Sequence, residues 1–176
     1  KDPGQRPAYQ GANPISDVWS IKAIEMVAKN IRTAVHDPEN NEARSQMLLA
    51  ASFAGVGFGN AGCHLPHGMS YPVSGMVKDY QPDGYPNTHP IIPHGLSVAV
   101  NAPAVFRYTA SADLERHLTA ANLMGVDTSQ CSAKDAGSVL SQAIIDLLRD
   151  INMPNGLQAL GYRDIDIDNL VNGTLP

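Results

Sequence analysis

Between Asn13 and Asp37 the apolar residues Ile15, Val18, Trp19, Ile24, Val27, Ile31 and Val35 return at helical spacing. A stripe of that period predicts a long amphipathic helix. Asn13 supplies an N-cap acceptor, and Pro14 fills the first helical position, where its missing N–H has no intrahelical bond to lose. Asp37-Pro38 stops the helix, because the residue before a proline is pushed out of the helical region. A helix so well delimited needs an apolar partner, and the rest of the chain offers helices rather than strands.

A second helix is predicted after Pro38, through "EARSQMLLAASFAG", which is rich in Ala, Leu and Met and poor in β-branched residues. Residues 72–93 hold Pro72, Pro82, Pro86, Pro90 and Pro93 and read as one long ordered loop, a feature that is uncommon and often functional. From His94 onward, Leu96, Val98, Val100, Val105 and Phe106 predict a buried helix interrupted or kinked at Pro103. Another helix covers 112–124 and ends at Gly125. Ser132 and Asp135 have the spacing of a capping box. They open a helix with Val139, Leu140, Ile144, Leu147, Leu148 and Ile151 on its apolar face. Two short helical turns near 156–172 close the chain. No period-2 segment stands out except "DIDIDN", and no hairpin turn signal is present. The fold class is all-α: a helical, bundle-like single domain over 1–176, with a leading loop at 1–12 and the proline-rich loop at 72–93.

Composition narrows the function classes. With 176 residues, 43% of them hydrophobic and 16% charged, the chain is long enough to bury a core. A formal net charge of −5 argues against nucleic acid or an anionic membrane as partner. No apolar run approaches the roughly 20 residues of a spanning helix. Cys63 and Cys131 are far apart, with no C-x-x-C pairing, which suggests a reducing compartment without a disulfide framework. Both ends, "KDPGQRPAYQGANP" and "NGTLP", read as cuts in something longer or as processed termini.

The segment "GVGFGNAGCHLPHG" (55–68) contains Gly57-Phe-Gly59-Asn-Ala-Gly62, a letter-for-letter G-x-G-x-x-G, and Asp79 lies near where a ribose-binding acid is sought. That fingerprint needs a strand before it and a helix after it. Here a helix precedes it, and Pro66 and Pro72 interrupt the stretch where the second helix belongs. The glycines instead permit close helix packing or the approach of a cofactor.

Of six histidines, His36 and His117 read as structural. His64, His67, His89 and His94 bracket the proline-rich loop in apolar, Gly/Pro-punctuated sequence and are the candidates for binding Zn or Fe(II) as neutral imidazoles. Spacing selects none of the four, and no cluster of carboxylates accompanies them. Tyr71 shares a helix face with His67 at i+4, an arrangement open either to proton transfer or to core capping. "DIDIDN" (164–169) imitates an EF-hand start, but Asn169 stands at the glycine position and Leu175 at the glutamate position, so a solvated helix start is expected. There is no G-x-S-x-G elbow and no Walker loop.

"FGNAGCHLPHGMSYPVSG" followed by "HPIIPHGLSVAVNAPAVF" resembles the C-terminal helical domain of the iron-containing alcohol dehydrogenases, which have a dehydroquinate synthase-like fold. In that family an N-A-x-x-x-x-x-H-x-M-A-H-x-L-G segment carries one metal-binding histidine and a later P-H-G carries another. Aligning Asn60-Ala61 places His67 on the first and His94 on the second, with His64 on a non-ligand position. Tyr71 replaces the second histidine of the family's H-x-x-x-H pair, and His67 and His94 stand 27 positions apart because of an inserted "VKDYQPDGYPNTHPII". Both departures are similar to the hydroxyacid–oxoacid transhydrogenase branch of the family, with its H-G-M-S-Y-P and HPxxPHGLSV stretches. The similarity runs from "RPAYQGANPISD" to "GTLP".

The resemblance implies a metal- and NAD-dependent oxidoreductase. It implies an N-terminal NAD-binding α/β domain and two more ligands, an Asp and a His, all upstream of Lys1. The implied metal is Fe(2+) or Zn(2+), with His67 and His94 expected as two of its four ligands. Tyr71 is expected near the substrate as a hydrogen-bond donor, and the 72–93 loop is expected to shape the pocket. The implied reaction takes a small hydroxy acid such as 4-hydroxybutyrate to succinic semialdehyde and returns the hydride to 2-oxoglutarate, giving 2-hydroxyglutarate. Two alternatives are an iron-containing NAD(P)-dependent alcohol dehydrogenase and a non-catalytic helical scaffold; the isolated chain itself is expected to be inactive. The implied partners are hydroxy- and oxo-acid substrates, the chain's own N-terminal NAD-binding domain and a possible second copy in a homo-oligomer, with no nucleic acid and no membrane. The implied location is the mitochondrial matrix in a eukaryote or the cytoplasm in a bacterium.

Overall fold

The computed structural model describes residues 4, 11–86 and 88–175. Most of the expected leading loop 1–12 therefore lies outside the described residues. The described residues form α-helices and short 3-10 turns with no strand among them, as the sequence pattern predicts. Internal contacts divide the chain into two compact units, Lys1–His64 with Leu118–Gln130, and Leu65–His117 with Cys131–Pro176.

The first unit is built on a helical hairpin, α1 (Pro14–His36) and α2 (Asn41–Ala61). Asn13 caps α1 by accepting from the backbone of Ile15 and Ser16, each at 3.0 Å, while the Asn13 N–H donates to Ser16 Oγ at 3.0 Å. Asn40 caps α2 through the Ala43 N–H at 3.0 Å. The helices meet along a seam of small side chains: Ser16 and Ala23 on α1, and Ala43, Ala50 and Gly57 on α2, all buried. Seven-residue spacing keeps such a set on one face. A Cβ on Gly57 would collide with Ser20 Oγ and crowd Ser20 N at 3.3 Å and Ser16 O at 3.4 Å, whereas Gly55 and Gly59 face open space. Trp19 and Phe53 close the seam edge to face, centroids 5.2 Å apart. Gly62 ends α2 at φ +88°, where a side chain would be strained. The G-x-G-x-x-G match is thus two helical glycines and a helix stop, without the strand that a nucleotide loop requires.

The second unit holds α3 (Leu65–Gly75), α4 (His94–Ala99), α5 (Ala102–Thr109), α7 (Ala136–Asp150) and α8 (Ile167–Thr174); α6 (Leu114–Leu123) contains the junction between the units. Helix α3 packs on α4 and α8, and α5 packs on α7. The core contains Val73, Ile92, Leu96, Val100, Leu160, Tyr162 and Leu170.

The structure departs from the sequence pattern at three places. The loop expected to start at 72 starts after Gly75, because α3 runs through both Pro66 and Pro72. Pro66 is the second helical residue, where an N–H is dispensable. Pro72 lies inside the helix, at a cost of about 3 kcal/mol by local rules. Burial offsets that cost: Pro72 and Val73 are both buried, and Gly173 of α8 sits so close that a Cβ there would lie 2.7 Å from Pro72 Cβ. Tyr162 Oη also donates to the Val73 carbonyl at 2.6 Å, which serves an acceptor that the short helix leaves open. Second, the predicted kink at Pro103 is a break at Val100–Asn101, and Pro103 lies in the first turn of α5. Its ring would clash with the Ala99 carbonyl if one helix continued through it. Third, Ser132 does not cap through the backbone. Its hydroxyl donates to Asp135 Oδ2 at 2.9 Å, and a 3-10 turn, Ala133–Asp135, precedes α7.

The helix expected at 112–124 is α6, and Gly125 follows it as predicted. "DIDIDN" forms a 3-10 turn, Asp164–Asp166, leading into α8, as a helix start should.

Candidate metal centre

The site is carried by two helix starts, of α3 and α4, which pack on one another. After α3, Val77 and Tyr80 pack against the core and the Ile91 N–H donates to the Tyr80 carbonyl at 2.8 Å. Ile92, 2% exposed, is buried in the core. The segment is therefore closed at its base, and Pro93 then opens α4 at His94.

His67 is the third residue of α3, half-buried; His94 is the first residue of α4, exposed. Their ring centroids are 5.4 Å apart and the rings are tilted by 54°. Metal–imidazole bonds of about 2.0–2.1 Å place a centroid about 3 Å from its ion, so two imidazoles on one tetrahedral ion stand about 5 Å apart. The observed separation fits that arrangement. Neutral imidazoles are ligands for borderline ions such as Fe(II) and Zn(II). Among the described residues, no group of three or more His, Cys, Asp or Glu converges to hold an ion, so these two rings supply at most half of a four-ligand sphere.

The backbone of both histidines is held in the same way. Ser70 Oγ donates to the His67 carbonyl at 2.6 Å, and Ser97 Oγ donates to the His94 carbonyl at 2.8 Å. Both serines are 0% exposed. One turn further on, Ser74 Oγ donates to the Ser70 carbonyl at 2.9 Å, and Asn101 Nδ2 donates to the Ser97 carbonyl at 2.7 Å. The sequence signal for this is an internal repeat that motif patterns alone do not catch. Pro66-His-Gly-Met-Ser-Tyr-Pro-Val-Ser74 and Pro93-His-Gly-Leu-Ser-Val-Ala-Val-Asn101 share Pro, His, Gly, Ser and Val in register. The shared valines, Val73 and Val100, are both core residues.

The other candidates lie differently. Tyr71 is 65% exposed, one turn beyond His67 on α3. His89 is exposed in the segment between α3 and α4, and His64 is exposed and belongs to the other unit. His117 is the structural histidine expected: it is buried, Nδ1 donates to the Asp113 carbonyl at 2.7 Å, and Nε2 meets Thr109 Oγ1 at 3.2 Å. Asp166, beside the core, is held below the usual carboxylate range by its hydrogen bond from Lys78, with help from the Arg163 N–H. Burial raises the Tyr162 hydroxyl above its ordinary value, and the charge of Asp166 raises it further.

The chain is similar to known proteins in both sequence and fold. The sequence model described as "Fe-containing alcohol dehydrogenase family, C-terminal" matches residues 8–175. The chain is 58% identical over 175 residues to "Probable hydroxyacid-oxoacid transhydrogenase, mitochondrial" of Dictyostelium discoideum, covering 99% of this chain and 32% of that protein. It is 54% identical over 175 residues to "Hydroxyacid-oxoacid transhydrogenase, mitochondrial" of Mus musculus, covering 99% and 38%. The chain thus spans about a third of the length of these curated relatives. Among solved structures, a 1,3-propanediol oxidoreductase superposes with a TM-score of 0.81 at 32% identity, over 93% of this chain and 40% of that one. A sulfoacetaldehyde reductase from Bifidobacterium kashiwanohense in complex with NAD+ gives 0.73 at 27% identity, over 96% and 39%.

Proposed function

Because the chain belongs to the Fe-containing alcohol dehydrogenase family, as its C-terminal part, we propose that it is the metal-gripping helical piece of a hydroxyacid–oxoacid transhydrogenase. The observation that carries this reading is the pairing of His67 with His94 at the spacing that one shared ion requires. The relatives named for that activity support the choice within the family.

In this reading His67 and His94 each offer an imidazole nitrogen to Fe(2+) or Zn(2+), and an Asp and a His from an N-terminal NAD-binding α/β domain complete the set. The metal supplies Lewis-acid polarisation of the substrate hydroxyl. NAD, held mainly by that other domain, would supply the hydride chemistry that links 4-hydroxybutyrate to 2-oxoglutarate. This chain's own residues orient and enclose. The His67 and His94 rings would hold the ion from this side of the site. Tyr71, one turn from His67, donates a hydrogen bond to the hydroxy acid, and the segment between α3 and α4 forms a wall of the pocket. By itself the chain, treated as a single helical metal-binding piece over 1–176, is inactive. The relatives' names carry the word mitochondrial, which supports a mitochondrial location in a eukaryote; in this reading the compartment is the matrix, or the cytoplasm in a bacterium.

A second reading, an iron-type alcohol dehydrogenase that exchanges free NAD(P), is favoured by the superposition on a propanediol oxidoreductase. The two separate when the full-length protein receives 4-hydroxybutyrate and 2-oxoglutarate without added NAD. Formation of succinic semialdehyde and 2-hydroxyglutarate in equal amounts supports the transhydrogenase; turnover that depends on free NAD overturns it. Absence of stoichiometric Fe or Zn from the full-length protein overturns both and leaves a helical scaffold.

A further inference from the structure

We infer that Ser70 and Ser97 are positioning residues for the paired imidazoles, each acting through the carbonyl of the histidine three residues before it. The inference rests on the reading of His67 and His94 as ligands.

In a helix the Cβ bond is fixed by the backbone, so the place of a histidine Cα in its turn decides where the ring points. His67 and His94 both lie in the first turn, where the backbone N–H groups have no helical partners and the helix is least constrained. A hydroxyl donating to the i−3 carbonyl adds a side-chain bond to that turn and sets its local bend. Such a bond is ordinary by itself. What assigns it a role is its repetition at the same offset from both imidazoles, 2.6 Å at Ser70 and 2.8 Å at Ser97. Both hydroxyls are fully buried, so no solvent competes for either bond. Ser74 and Asn101 then hold the serine carbonyls, at 2.9 and 2.7 Å, so each arm is a two-step ladder running back along its helix to the histidine. Two ladders built alike present two rings at a set separation and tilt, a geometry a metal rewards only when it is held before binding.

The test is a Co(II) titration of the metal-free full-length protein, followed by the visible absorption of the bound cobalt. Ser70→Ala, Ser97→Ala and the double variant are compared with Ser141→Ala, a buried serine that instead meets Arg107 at 3.2 Å. Each arm variant is expected to weaken Co(II) binding about 10- to 100-fold and to alter the cobalt spectrum. The metal-free melting temperature should drop no further than in Ser141→Ala. Unchanged affinity and spectrum in the arm variants, or an equal loss in Ser141→Ala, overturns the inference. His67→Ala and His94→Ala identify which idea has failed: if they too bind cobalt like the parent, or the parent binds none, the ligand reading falls and this inference with it. If they lose cobalt while the serine variants keep it, only the inference falls.

Discussion

The imidazoles of His67 and His94 stand with centroids 5.4 Å apart, although 27 positions separate them in the chain. That closeness depends on α3 and α4 sharing one core, in which Val73, Leu96 and Val100 are buried together. If the proposed function holds, replacing either histidine by alanine in the full-length protein should remove stoichiometric metal and lower the proposed transhydrogenase turnover by more than about 100-fold, beyond what the loss of a supporting group costs. Metal analysis beside steady-state rates checks this. Full metal content in both variants would place the metal elsewhere.

The glycines of the 55–62 stretch should divide by packing. Gly57→Ala forces α1 away from α2 and is expected to destabilise by about 1–3 kcal/mol. Gly55→Ala, facing open space within α2, should instead stabilise by about 0.5–1 kcal/mol. Thermal melts decide the sign of each.

Tyr162→Phe leaves the Val73 carbonyl without its donor and should cost about 1–3 kcal/mol at neutral pH. The native hydroxyl is raised by burial and then by Asp166, so folding favours its protonated form. Its contribution is fully present below the ordinary tyrosine value of about 10 and is lost as pH rises through the higher folded value. Denaturant melts of parent and variant should therefore converge only at strongly alkaline pH. A gap that stays constant there would contradict the linkage.

Asp166→Asn has the opposite pH signature. The Lys78 hydrogen bond and the Arg163 N–H lower the carboxyl in the folded state. That contribution is present above the ordinary aspartate value of about 3.9 and is lost as pH falls through the lower folded value. Acid unfolding curves of parent and variant should differ at pH 6 and converge only as pH falls below the folded value, which lies under the ordinary one of about 3.9.

Much of this architecture is legible in the sequence because its signals are local. Asn13-Pro14 and Asp37-Pro38 delimit α1 by rules that need no neighbour, and the run of Ala, Leu and Met does nearly as much for α2. Pro72 misleads for the complementary reason. Whether a proline ends a helix depends on what packs against it, and Gly173 of α8 is far away in sequence. Spacing leaves His64 and His89 as eligible as His67 and His94; family resemblance selects the pair, and the internal Pro-His-Gly-x-Ser repeat that sets both in register is the further signal. The serine ladders escape a pattern search because serine is mostly an exposed residue, and its burial follows from tertiary contacts rather than from periodicity.

The bond between Ile91 and Tyr80 separates the two histidines from the chain that links them. With the segment clamped at its base and Ile92 set in the core, the stretch between Tyr80 and Ile91 is a tether whose length neither ring feels. Closing a longer tether costs little, since the entropy rises only with the logarithm of its length. Residues can be added or removed there without moving either ring, which makes this tip the place where such a scaffold can diversify while its grip stays the same.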